Sequence, residues 1–224
     1  MGLWPEHLGH DDRYRYTSEW IDVVTRLWSE PSVDFDGEFF QLADCRSHPQ
    51  PKVRPTLICA GSSPVGIDFT TTNCDGAFVG APDLETLRRT SDNVHDMAVS
   101  KGRMTKTYAM MTVVMDDTDE KAEGRVAWYE EAADHEAIEN LTRTYGSIAT
   151  VGKKEANQAA TNKGFQTERI VGSPDTVFER IEEITEVTGV DGLMLIFPNF
   201  RDDLDAFGEA VMPKLRGRIA EIAR

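Results

Sequence analysis

Four short apolar runs, separated by longer amphipathic stretches, constrain the fold of this 224-residue chain more than any other feature. They read TLICA at 56–60, GAFVG at 76–80, TYAMMTVVM at 107–115 and DGLMLIF at 191–197. Three of the four are almost continuously apolar, which is typical of strands buried on both faces of a parallel sheet that helices cover. The sequence therefore predicts an α/β fold with four strand-helix units.

Helices are predicted between and beyond these strands, because apolar residues recur there at intervals of three and four. Their ends carry signals such as Pro64 in a first turn, Asp83 as a cap and Gly189 after a last turn. Asp117 with Glu120 indicates a capping box for one long helix. The predicted helices cover residues 17–28, 64–73, 84–97, 117–144, 174–188 and 204–222.

Two segments depart from this alternation. A hairpin is predicted at 33–42, where Asp36-Gly37 separates apolar residues. The stretch 146–168 is polar and without periodicity, which predicts a mobile loop at about 146–169 within a single domain of residues 1–224. Two architectures remain open: a small doubly wound sheet, and half of an eight-stranded (β/α) barrel.

Composition limits the partners and the compartment. A formal net charge of −15 at pH 7 argues against nucleic acid, whose phosphate backbone requires a basic surface. No apolar run approaches the ~20 residues of a membrane helix, and the first residues lack a signal-peptide pattern, so a cytoplasmic protein is predicted. The histidines are scattered without zinc-ligand spacing, so we expect no metal site. The three cysteines are widely spaced, which predicts free or buried thiols.

The segment LICAGSSPVG at 57–66 raises the first functional hypothesis. Ser63 precedes Pro64, and a residue before proline is held in the extended backbone that an N-cap requires. The N–H groups of a helix beginning there would face the region beyond the strand's carboxyl end, where a phosphate could bind. The same residues also suit an ordinary helix cap, which is the commoner case. Both interpretations stay open from the residues alone.

A second segment, HDDRYRYTSEW at 10–20, contains candidate anion ligands. Arg13 and Arg15 offer guanidinium donors, and Tyr14 and Tyr16 offer hydroxyl groups. The acidic residues beside them fit the solvent-exposed start of a helix equally well. The sequence contains neither the P-loop lysine motif nor the G-x-S-x-G motif of hydrolases.

Together these segments resemble a known family. HDDRYRYTSEWIDVVTRLW, VDFDGEFFQLADCRSHPQP and LICAGSSPVG are similar to segments of the bacterial-luciferase-like, flavin-dependent monooxygenases. The resemblance continues through GSPDTVFERI and DGLMLIFPNF. DCRSHPQP resembles the pyrimidine (uracil) monooxygenases most, and EHLGHDDRYRYTSE is similar to the dimethylsulfone monooxygenases.

The resemblance implies a (β/α)8 TIM-barrel family fold, of which this chain is the carboxyl-terminal half. Either the chain is a fragment that lacks the amino-terminal half, or a partner chain supplies that half. A homo-oligomer is a further expectation. The implied enzyme uses O2 and reduced FMN, supplied by an NAD(P)H-dependent flavin reductase, to oxygenate a small molecule.

Uracil is the first candidate substrate, a sulfone or alkanesulfonate is the alternative, and a non-catalytic half-barrel is the remaining hypothesis. By resemblance, Arg13, Tyr14, Ser62 and Ser63 match positions that hold the FMN phosphate. No catalytic acid or base is identified.

Overall fold

The computed structural model describes residues 8–81, 83–146, 165 and 167–222, so most of the predicted loop at 146–169 lies outside the described residues. The chain divides into two compact units. The first unit contains residues 1–78 and 94–106, and the second contains residues 79–93 and 107–224. Of the helices described, none is long and apolar enough to cross a membrane.

The elements alternate as the apolar pattern predicts. The helices are α1 (His10–Leu27), α2 (Pro64–Asn73), α3 (Leu84–Ser100), α4 (Asp119–Glu131), α5 (His135–Gly146), α6 (Pro174–Thr188), α7 (Phe200–Ala210) and α8 (Met212–Ile222). The strands are β1 (Val33–Asp36), β2 (Gln41–Cys45), β3 (Ile58–Cys59), β4 (Gly76–Val79), β5 (Lys106–Met115), β6 (Arg169–Gly172) and β7 (Gly192–Ile196).

In the first unit, the predicted hairpin is confirmed. Strands β1 and β2 pair antiparallel, with Phe35 opposite Leu42. Glu19 of α1 holds the turn, because its carboxylate accepts the backbone N–H groups of Glu38 and Phe39, both at 2.8 Å. The hairpin is thus fixed to one face of α1.

Also in the first unit, β3 and β4 pair in parallel, with Ile58 opposite Gly76 and Cys59 opposite Ala77. Asp75 ties the start of both strands together. Its carboxylate accepts the Leu57 N–H at 2.8 Å, and its own N–H donates to the Leu57 carbonyl at 2.8 Å. Because α2 lies between β3 and β4 in sequence, the helix begins at the carboxyl end of β3.

In the second unit, β5 is the central strand. It pairs in parallel with β7 through Tyr108–Thr112 and with β6 through Thr112–Met115. Val113 and Val114 are fully buried, which confirms the prediction of a strand covered on both faces. Strand β6 adds a parallel strand to the four predicted, because its four residues directly follow a polar stretch and give little periodic signal.

Two predicted helices are each divided. The long helix predicted at 117–144 is two helices, since the carboxylate of Asp134 caps a new one by accepting the Ala137 N–H at 2.9 Å. The cap of α4 is Thr118 rather than Asp117. The last helix breaks at Val211, where Pro213 follows and lacks the N–H that a continuous helix would use.

A buried ion pair joins α4 to α7 within the second unit. Asp203, 6% exposed, accepts from Nη2 of Arg125 at 2.7 Å and from the backbone N–H of Asn199 at 3.1 Å. Arg125 also donates to the carbonyl of Met115, the last residue of β5. The pair therefore fastens both helices to the carboxyl end of the central strand.

We predict that Asp203→Ala lowers the free energy of unfolding by about 3 kcal/mol, because Arg125 would keep a partly buried charge without its partner. Asp205→Ala is the matched control, since Asp205 lies exposed on the same helix and should cost no more than about 0.5 kcal/mol. Urea denaturation of both variants measures the difference. Equal losses would show that the ion pair contributes nothing specific.

Candidate functional site

The first turn of α2 has the features of an anion-binding helix end. Ser63 is its N-cap, with extended backbone (φ −73°, ψ 161°), and Pro64 occupies the first helical position. The Ser63 hydroxyl accepts the Gly66 N–H at 3.2 Å, which confirms the predicted cap. The first turn of α2 carries no acidic side chain, so the positive end of the helix dipole faces no carboxylate of its own.

The second Ser-Pro helix, α6, differs at this point. The hydroxyl of its cap, Ser173, likewise accepts a hydrogen bond from the backbone N–H of Thr176. Unlike α2, however, this helix has an acidic residue, Asp175, in its first turn. The carboxylate of Asp119 accepts the Ser173 N–H at 2.7 Å, and this hydrogen bond, with that of Thr176, lowers the pKa of Asp119. A carboxylate of the chain itself thus already occupies the start of α6, and α2 is the better candidate for an external anion.

The structure brings Tyr14 to the start of α2. Its ring packs against Phe69 of α2, with 5.7 Å between ring centroids. Its hydroxyl lies against the loop, because a Cβ added to either Gly61 or Gly66 would be 2.6 Å from the Tyr14 oxygen. These two glycines flank the Ser62-Ser63-Pro64 turn, so the hydroxyl sits where the loop enters the helix.

The same glycines let the loop fold closely onto the helix. A Cβ on Gly66 would be 3.0 Å from both Cα and the carbonyl carbon of Gly61. This spacing is tighter than almost any side chain tolerates. The approach therefore requires glycine and holds the Ser63 cap in place.

Arg13 and Ser62 are both exposed. Arg13 lies in the first turn of α1, where its carbonyl accepts the Thr17 hydroxyl at 2.7 Å. Among the described residues, its guanidinium forms no ion pair. Of the four residues that the resemblance implies, Tyr14, Ser62 and Ser63 thus lie at the start of α2, whereas Arg13 lies in the first turn of α1.

Arg15 and Tyr16 belong to a different surface. Arg15 pairs with Asp12 at 2.8 Å and with Glu38 of the hairpin turn. The ring of Tyr16 packs against Phe40, with 4.8 Å between centroids. Both side chains serve the contact of α1 with the hairpin, so the idea that they supply anion ligands beside Arg13 and Tyr14 finds no support.

Sequence reasoning missed the residues behind the turn. The sulfur of Cys59, the last residue of β3, accepts the Gly61 N–H at 3.4 Å. The hydroxyl of Thr70, fully buried, donates to the Gly66 carbonyl at 2.7 Å. The only sequence signal was the position of Cys59 just before the glycine turn.

We predict that Gly66→Ala lowers the free energy of unfolding by roughly 1–3 kcal/mol, because the new methyl group would overlap Tyr14 and crowd Gly61. Gly124→Ala in α4 is the control. Beyond its chain neighbours and the backbone of its own helix, no atom of the described residues lies within 4 Å of the added Cβ there, so alanine should stabilise that helix by up to about 1 kcal/mol.

Thermal and urea denaturation of the two variants make this comparison. Tyr14→Phe in the Gly66→Ala background should restore part of the loss, because it removes the overlapping oxygen. A Gly66→Ala variant as stable as Gly124→Ala would contradict the close packing.

The chain is similar to known proteins in sequence. A family model described as "Luciferase-like monooxygenase" matches residues 1–192. The chain is 35% identical over 229 residues to the pyrimidine monooxygenase RutA of Variovorax paradoxus (strain S110), covering 98% of this chain and 61% of that protein. It is 32% identical over 225 residues to the pyrimidine monooxygenase RutA of Acinetobacter baylyi, covering 97% of this chain and 61% of that protein. It thus spans about three fifths of the length of these relatives.

It is also similar to solved structures. DmoA from Hyphomicrobium sulfonivorans superposes with a TM-score of 0.81 at 21% identity, over 95% of this chain and 57% of that chain. The long-chain alkane monooxygenase LadA gives a TM-score of 0.81 at 21% identity, over 97% of this chain and 58% of that chain. Riboflavin lyase RcaE, solved with modified FMN and riboflavin, superposes with a TM-score of 0.78 at 22% identity, over 95% of this chain and 59% of that chain. These likenesses confirm the predicted barrel-family fold and disfavour a doubly wound sheet.

Proposed function

Because this chain belongs to the luciferase-like monooxygenase family, we propose that it is the phosphate-binding part of an FMN-dependent monooxygenase. The observation that carries the proposal is the start of α2, where Ser63 accepts the Gly66 N–H and the hydroxyl of Tyr14 lies against Gly61 and Gly66. We propose further that residues 1–224 act as one part of the barrel.

The hydrogen-bonding groups at this place fit a phosphate. Ser63 uses its oxygen to accept from Gly66, which leaves the hydroxyl proton available as a donor. Pro64 has no N–H, and the Ile67 N–H donates to the Ser63 carbonyl, so the Val65 N–H is the donor of the first turn without a partner in the described structure. A phosphate there would receive charge-assisted hydrogen bonds, which are the strong ones.

The first turn of α1 adds charge. We assign Arg13 to the phosphate through its positive charge, and Ser62 and Tyr14 through their hydroxyl groups. The chain carries a net charge of −15, so an anion needs such a local group of donors to offset repulsion from the rest of the surface. The donor set of hydroxyls, a helix N–H and one guanidinium matches a phosphate monoester better than a metal or a neutral ligand.

FMN, when bound in its reduced form, supplies the electrons that activate dioxygen. The residues of this chain hold the phosphate end and thereby fix where the flavin ring lies relative to a substrate. A flavin reductase that uses NAD(P)H is the partner that this chemistry requires, and O2 is the second substrate.

A pyrimidine such as uracil is the proposed organic substrate. Its support is the identity of 35% to a pyrimidine monooxygenase over nearly the whole chain, together with the segment DCRSHPQP at 44–51. A sulfone is the second candidate, favoured only by the segment EHLGHDDRYRYTSE at 6–19. The likeness to DmoA concerns the fold alone, so it does not decide between them.

We predict that Ser63→Ala weakens FMN binding roughly ten- to a hundredfold, because it removes a hydrogen bond to a charged group worth ~1.5–3 kcal/mol. Riboflavin, which lacks the phosphate, should bind almost unchanged. Ser173→Ala is the matched control, since Ser173 caps α6, where Asp119 already occupies the helix start.

Fluorescence titration of both flavins against the three proteins measures these affinities. If Ser63→Ala and Ser173→Ala gave the same FMN affinity as the unmodified protein, Ser63 would be a helix cap only.

The substrate is tested by turnover. Joined to a family-type amino-terminal half and supplied with FMN, a flavin reductase and NADH, the chain should consume uracil and O2, and dimethylsulfone should remain unchanged. Liquid chromatography with mass spectrometry detects both outcomes. If the sulfone were oxidised and uracil were left intact, the sulfone would be the substrate and the pyrimidine proposal would be wrong.

A further inference from the structure

Two of the three cysteines lie together beneath the glycine turn. Cys59 ends β3 and Cys74 follows the last residue of α2, and both pack in one apolar cluster with Ile21 and Phe69. Both are free thiols. Cys74 is 4% exposed, whereas Cys59 is half-buried and so more open to small solutes.

The surroundings make the two sulfurs chemically unequal. The neighbouring Cys74 thiol, followed by the Gly61 N–H that donates to the Cys59 sulfur at 3.4 Å, lowers the pKa of Cys59 despite burial. The neighbouring Cys59 sulfur, together with burial, raises the pKa of Cys74. Cys59 is therefore the more acidic thiol of the pair.

We propose that Cys59 and Cys74 form a peroxide-reactive dithiol, in which hydrogen peroxide oxidises Cys59 and Cys74 then closes a disulfide. The assignment rests on the packing of Cys59 against the cluster that contains Cys74 and on the Gly61 N–H that donates to the Cys59 sulfur. The ring of Tyr14 packs against the same cluster.

The chemistry balances with peroxide as the oxidant. The Cys59 thiolate attacks one oxygen of hydrogen peroxide, the O–O bond breaks, and hydroxide leaves as Cys59 becomes a sulfenic acid. The Cys74 thiol gives its proton to that hydroxide and its sulfur attacks the Cys59 sulfur. The S–O bond breaks, and the hydroxide that leaves takes from the solvent the proton that the Cys59 thiol had released. In sum, two thiols and one hydrogen peroxide give one disulfide and two waters.

Cys45 provides an internal control within the same chain. It is half-buried at the end of β2, and it is not part of the cluster that contains Cys59 and Cys74. The Gly61 N–H and the neighbouring Cys74 thiol favour the thiolate of Cys59, which is the form that reacts with peroxide. We expect Cys59 to react with peroxide roughly tenfold faster than Cys45, since thiolate fraction outweighs the lower nucleophilicity of a more acidic thiol.

The test treats the folded, reduced protein with one equivalent of hydrogen peroxide at pH 7, alkylates the remaining thiols and maps them by mass spectrometry. The expected product is a Cys59–Cys74 disulfide with Cys45 alkylated. Cys45→Ser should form the same disulfide at the same rate.

Two further variants separate the roles of the sulfurs. In Cys74→Ala, the Cys59 sulfenic acid should persist long enough to be trapped by dimedone, and in Cys59→Ser, Cys74 should stay reduced. If either variant fails to fold, the disulfide mapping of the unmodified protein still tests the proposal. Oxidation of Cys45 at the same rate as Cys59, or the absence of a Cys59–Cys74 disulfide, would overturn the proposal.

Discussion

The close approach of Gly61 to Gly66 is the constraint on which the candidate site depends. Each glycine leaves space that a single methyl group would fill, and the hydroxyl of Tyr14 lies in that space. The ring of Tyr14 is held by Phe69, so α1 and α2 meet at the point where the Ser63 cap begins the helix. Loop, cap and tyrosine therefore form one packed unit rather than three separate features.

Electrostatics explains why this helix end, and not its counterpart, suits an anion. Both α2 and α6 begin with a serine cap followed by proline. At α6 the carboxylates of Asp119 and Asp175 supply the negative charge that a helix N-terminus favours. At α2 the first turn carries none. In a chain with a net charge of −15, that difference marks the place where an external phosphate would meet least repulsion.

The sequence predicted the frame of the fold and the position of the cap. The strands β3, β4, β5 and β7 and the Ser63 cap all followed from apolar runs and local signals. Strand β6 did not, because four residues after a polar stretch carry too little periodicity. The sequence also could not separate Tyr14 from Arg15 and Tyr16. Which side of α1 meets α2 and which meets the hairpin depends on packing between elements distant along the chain.

The contact between Gly61 and Gly66 and the pairing of Cys59 with Cys74 were hidden for the same reason. Each contact joins residues that come together only when the chain folds, and their spacing in the sequence does not indicate it. Glycine in a loop indicates a turn, yet only the structure shows that two glycines touch and that a tyrosine oxygen lies between them. A lone thiol in a strand likewise gives no sign of its partner on a helix end.

The most direct measurement is the response of individual backbone amides to FMN in isotope-labelled protein, followed by NMR. If the start of α2 holds the phosphate, the amide resonances of Val65 and Gly66 should shift on addition of FMN or inorganic phosphate and not on addition of riboflavin. The amides of Asp175 and Thr176, at the start of α6, should stay in place throughout. If the Val65 and Gly66 amide resonances did not shift on addition of FMN, or shifted no more than those at the start of α6, the account would be contradicted.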